Sequence, residues 1–138
     1  MNYIAEIKQK DGEPYVGLMN RPHCSTNCSM FDYKNQPVIY AFPITKNYED
    51  YINKYLKNKT GNGLAILQDM NVKKSVKYLK SAISKLQGHS QYGAFSDGEE
   101  ADYFKSTPKH AIIALTHLKE MAEECIDTTC IWNVKESA

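Results

Sequence analysis

The chain nearly lacks arginine: of its 17 basic residues, Arg21 alone carries a guanidinium. That removes the side chain best suited to bidentate contact with phosphates and base edges, and argues against a dedicated sequence-reading nucleic-acid binder. An excess of either charge sign is missing too, because 16 acids leave a formal net charge of +1. A chain built to coat a polyanion is therefore excluded, although local patches are not. No apolar run approaches the roughly 18 residues of a membrane span. The opening Met1-Asn2-Tyr3-Ile4-Ala5-Glu6 lacks the basic flank and long apolar stretch of a signal peptide, so a cytoplasmic protein is expected. There is no internal repeat and no linker. Gly61-Asn62-Gly63 is too short for a phosphate loop and lacks the Lys-Ser/Thr that would follow one.

What is present suits one globular domain over residues 1–138, with 42% hydrophobic content, enough for a core without staples. Lys, Asn, Tyr and Ile are favoured over Arg and Ala, the bias that AT-rich coding produces. Two stretches share one apolar spacing. Val72, Val76, Leu79, Ile83 and Leu86 form one helical stripe, and Ala111, Leu115, Leu118, Ala122 and Cys125 form another with the same steps. The first carries Lys73, Lys74, Lys77, Lys80 and Lys85 on its wet side, and the second ends in Glu120, Glu123 and Glu124.

Strand signals gather early. Tyr3, Ala5 and Ile7 alternate with polar residues, and Asp11-Gly12 precedes Val16, Leu18 and Met19, which predicts a hairpin over about residues 2–20 with a type I′ turn. Val38–Phe42 reads as an inner strand ended by Pro43, and Cys130–Val134 as a strand returning to the sheet. Helices are expected near 48–57, 71–87 and 108–126, the second capped by Asp69 or Asn71 and stopped by Gly88, the third opened by Thr107-Pro108. Leu64–Leu67 is a short strand or a buried turn. The fold class is α+β: a mostly antiparallel sheet, from an N-terminal hairpin and later strands, with two long amphipathic helices on one face.

Four cysteines invite a metal or nucleophile reading. Cys24 and Cys28, beside His23, and Cys125 and Cys130 make two pairs, but their spacing is looser than the tight knuckles of zinc sites. Cys125 also falls on an apolar stripe, where a buried thiol is ordinary. A Cys24 nucleophile would need His89, His110 or His117 as its base, and no local signature of a cysteine enzyme surrounds it. We expect no metal, no cofactor and no catalytic residue.

The segment 89–104 has the strongest claim to be a functional surface, since long irregular links in small domains tend to be functional or disordered. Tyr92, Phe95, Tyr103 and Phe104 would supply affinity, with Asp97, Glu99, Glu100 and Asp102 as a polar rim that steers a basic partner. The plainer reading tucks those rings against the core. Lys73, Lys77 and Lys80 are a second candidate, for an acidic partner or a nucleic acid. A compact chain with this coding bias and no catalytic signature resembles, as a kind rather than as a family, the small accessory proteins of viruses and mobile elements. The resemblance implies binding to, and modulation or inhibition of, a host protein, with no membrane role. The rival readings are a lysine-mediated nucleic-acid binder and a small cysteine-dependent enzyme or ligand-binding protein.

Overall fold

The computed structural model describes residues 2–18, 37–89 and 108–137. Its strands are β1 (Asn2–Lys8), β2 (Val16–Leu18), β3 (Pro37–Ile39), β4 (Ala41–Ile44) and β5 (Ile131–Ser137). Its helices are α1 (Lys46–Tyr55), α2 (Val72–His89) and α3 (Pro108–Glu124), with a 3-10 helix at Gly63–Leu67. Strands β4, β1 and β5 form an antiparallel sheet in that order, and β2 pairs with β3 in a separate ribbon. The α+β reading holds.

The alternation of β1 decides which sheet face is inner. Ala5 and Ile7 are buried there, opposite Phe42 on one side and Val134 and Trp132 on the other. The stripe of α2 covers this face: Val72, Leu79, Ile83 and Leu86 are buried and Val76 packs against them. Every apolar stripe residue of α3 is buried as well, including Cys125 just beyond the helix. Within the core the Trp132 indole N–H donates to the Ser75 hydroxyl at 2.8 Å, and that hydroxyl donates to the Val72 carbonyl at 2.6 Å. A fully buried donor is thereby satisfied, as a low-dielectric interior demands.

Several local expectations shift. The N-terminal turn is real but is not type I′. Gly12 N–H donates to Gln9 C=O and Gln9 N–H to Glu13 C=O, a three-residue loop in which only Gly12, at φ +94°, needs the left-handed region. The hairpin then forks. Lys8 bridges Pro14 and Tyr15 N–H reaches Ile7 C=O, but Ile7 N–H turns to Tyr40 C=O, and β2 continues along β3 instead. The edge-to-face rings of Tyr15 and Tyr40, 5.0 Å apart, hold the fork.

Pro43 lies inside β4 rather than ending it, which the edge position of that strand permits. Asn71 is the cap of α2, its side-chain oxygen accepting the N–H groups of Lys73 and Lys74. Gly88 does not stop the helix, which runs through His89.

Candidate functional site

The residues with the strongest sequence claim, Tyr92, Phe95, Asp97, Glu99, Glu100, Asp102, Tyr103 and Phe104, lie outside the described residues, as do His23, Cys24 and Cys28. Lys73, Lys77 and Lys80 are described, and they do not form one free cationic face. The Lys73 ammonium is half-buried and donates to the Ala122 and Glu123 carbonyls at 2.9 and 3.1 Å, closing the C-terminal end of α3. Lys80 lies 3.8 Å from Glu123, and Lys77 sits over the Tyr78 ring. The expectation that all five lysines face solvent fails at Lys73, because the end of a neighbouring helix offers it open carbonyls.

Cys125 and Cys130 are buried free thiols beside each other. Burial, with Cys125 as neighbour, pushes the Cys130 thiol up to about 12, and burial likewise raises Cys125. Both stay protonated at neutral pH, the opposite of what a thiolate nucleophile or ligand needs. His117 is not a solvated surface histidine either, since it stacks on Phe42 with ring centroids 4.7 Å apart. Among the described residues no cluster of three or more His, Cys, Asp or Glu could hold a metal ion.

The site that the fold does build is a cleft of about 540 Å³ at the outer end of the inner sheet face. Its floor is Tyr3 of β1 with Val134 and Glu136 of β5; Tyr3 and Glu136 are opposite one another in the ladder. One wall is α1, whose Glu49 and Asn53 stand one turn apart on the same side. The other runs through Asn62, Leu64, Ala65 and Gln68.

The second wall is held in place at both ends. Asn62 donates its side-chain N–H to the Asn53 carbonyl at 3.0 Å, tying the two walls together. Gly63, at φ +75°, lies so near Asn53 that any Cβ there would collide with that side chain. At the far end Gln68 Oε1 accepts the Val134 backbone N–H at 2.7 Å, while its Nε2 donates to Asp69 and Asn133, both at 3.1 Å. Asn133 in turn donates to Glu6 at 3.0 Å on the outer sheet face. Burial pushes the Glu6 carboxyl up, but hydrogen bonds from Asn133 and Lys135 and the charges of Lys135 and Lys8 outweigh it, so the net shift is downward.

Among the described residues the lining thus holds two carboxylates, three carboxamides and one phenol, and no Lys, Arg or His. Such a set favours a positively charged guest: the carboxylates supply field, the amide oxygens and the phenol ring supply local contacts. Sequence reading missed this site because its parts come from four separate stretches. Gly61-Asn62-Gly63 drew notice only as too short for a phosphate loop, and the Glu49/Asn53 spacing is a weak signal by itself. Comparison with protein-family models, with curated proteins and with solved structures finds no match.

Proposed function

We propose that this chain acts by binding rather than by turnover, and that the partner delivers a cationic group, an ammonium or a guanidinium, to the cleft. The observation that supports this is the lining itself, with Glu49 and Glu136 among amide groups and no cationic side chain among the described residues. A guest of the opposite sign is steered in and held there. The partner class follows the sequence reading, a host protein whose activity the bound chain modulates or inhibits, as small accessory proteins of viruses and mobile elements do. The sequence expectation for Tyr92, Phe95, Tyr103 and Phe104 with the neighbouring acids is a basic partner too. The nucleic-acid alternative is weakened because Lys73 and Lys80 already have partners within the fold.

Methylguanidinium is the simplest probe. Titrated into isotope-labelled protein, it should shift the side-chain amide resonances of Asn53, Asn62 and Gln68, and Glu136→Gln should weaken the response. Acetate should leave those resonances still. Equal response to both ions, or none to methylguanidinium, overturns the reading. Retention of the protein on an immobilised duplex that is lost in Lys73→Glu, Lys77→Glu, Lys80→Glu would favour the nucleic-acid alternative instead.

A further inference from the structure

The cleft opens beside a strand edge that is covered along only part of its length. Cys130, just before β5, and Trp132 and Val134 within it present backbone groups away from β1. Cys130 C=O accepts Val72 N–H, Trp132 C=O accepts Asp69 N–H, and Trp132 N–H donates to Met70 C=O. Residues 69–72 therefore cover this part of the edge as an irregular turn into α2, with Asp69 at φ +63° and one antiparallel bridge, Asn71–Ile131. At Val134 that cover ends, and the Gln68 side chain takes over, its Oε1 receiving the Val134 N–H where a strand carbonyl would otherwise stand. Strand alternation then directs the Val134 C=O and the Glu136 N–H and C=O outward as well. Among the described residues no group bonds to these three. Open backbone groups of this kind template the addition of another strand.

We infer that the partner enters as an extended segment that pairs with the Val134–Glu136 edge, beyond the stretch covered by residues 69–72, and drops a lysine or arginine side chain into the cleft. This rests on the cation-binding reading above and names its ligand. Glu136 joins the two halves: its backbone lies on the open edge while its side chain is part of the cleft lining. Main-chain bonds would come from segment N–H groups to the Val134 and Glu136 carbonyls and from the Glu136 N–H to a segment carbonyl. Neighbouring side chains along an extended segment alternate between faces, so only every second one can reach the cleft. The expected recognition pattern is thus one basic residue in an otherwise tolerant β-forming stretch. Charge complementarity selects the occupant, because an acidic residue at that place would meet two carboxylates.

The test uses the whole chain and three peptides. The first is acetyl-Thr-Val-Lys-Val-Thr-amide, the second carries Glu for Lys, and the third keeps Lys but has alternate backbone nitrogens methylated. The lysine peptide should shift the backbone amides of Val134, Lys135 and Glu136 and slow hydrogen exchange at Glu136. The Glu peptide and the methylated peptide should each bind more weakly, by about threefold to tenfold. Glu136→Gln should weaken the lysine peptide by about twofold to fivefold and leave the Glu peptide no weaker. If the methylated peptide binds as well as its parent, or if methylguanidinium perturbs the cleft while the lysine peptide leaves residues 134–136 unmoved, strand addition is wrong and cation binding survives. Silence to both probes overturns both. Protection of the Glu136 amide in the free protein also overturns it, since the edge would then already be taken by this chain or a second copy.

Discussion

Around Trp132 and around Glu136 the same face of the same strand meets opposite environments. At Trp132, α2 reaches the sheet through Ser75, and α3 reaches it nearby through His117 on Phe42. The Trp132 indole N–H and the Ser75 hydroxyl are both satisfied there within the fold. Two residues on, Val134 is half-buried, and two further, Glu136 is exposed beside a cleft whose polar side chains face outward. The change comes from the covering layer rather than from the sheet, because α1 and the 3-10 helix, joined at one end, leave the cleft between them where α2 and α3 close together. One strand can thus be a core element at one end and, at the other, carry backbone groups that no described residue pairs.

Substitutions test how sharp that division is. At the closed end Leu79→Ala, a fully buried position of α2, should cost about 2–5 kcal/mol in chemical denaturation. A loss well below that would mean that the α2 stripe is not a filled core. Ser75→Ala should cost about 1–3 kcal/mol, because it strands the buried Trp132 indole N–H without an acceptor. A neutral effect would show that water or a rearranged indole replaces the hydroxyl.

At the boundary, Gly63→Ala places a Cβ against Asn53 and asks a non-glycine residue to hold φ +75°, with an expected loss of about 1–2 kcal/mol. The Asn53 and Asn62 side-chain amide resonances should move with it, since the wall is displaced. Glu6 sharpens the comparison through pH. Its carboxyl is depressed in the folded chain from an ordinary value of 4.5, so its stabilisation is present above that value and is lost as pH falls through the folded one. The difference in thermal midpoint between wild type and Glu6→Gln should therefore be largest at neutral pH and shrink on acidification to about pH 3. A constant difference would mean that packing, not charge, is at stake. At the open end Glu136→Gln should change stability by no more than about 0.5 kcal/mol while weakening cation binding. A large loss of stability there would remove the contrast between the two ends.

The α+β class, the two helical stripes and the strand at the C-terminal end were legible because burial repeats at 3.6 or 2 residues wherever one side of an element faces a core. Leu79 and Leu118 could be placed inside without any knowledge of their partners. Asn71 as a cap and Gly12 in the turn were legible for a similar reason, since each solves a backbone problem within a few residues of itself. The type I′ geometry and the continuous hairpin were not. The partner of β2 depends on where Tyr40 arrives, and nothing within Gln9–Leu18 encodes that.

The same limit explains the functional residues. Sequence alone marked lysines on the wet side of α2, but it could not show that Lys73 would find the carbonyl end of α3, 49 and 50 residues further along the chain. It marked Glu49, Asn62 and Glu136 as nothing in particular. Local periodicity determined which sides are apolar, because that pattern is written into neighbouring residues. The cleft, the open end of β5 and the cover supplied by Gln68 exist only after distant segments meet, since each depends on where one element stops short of another.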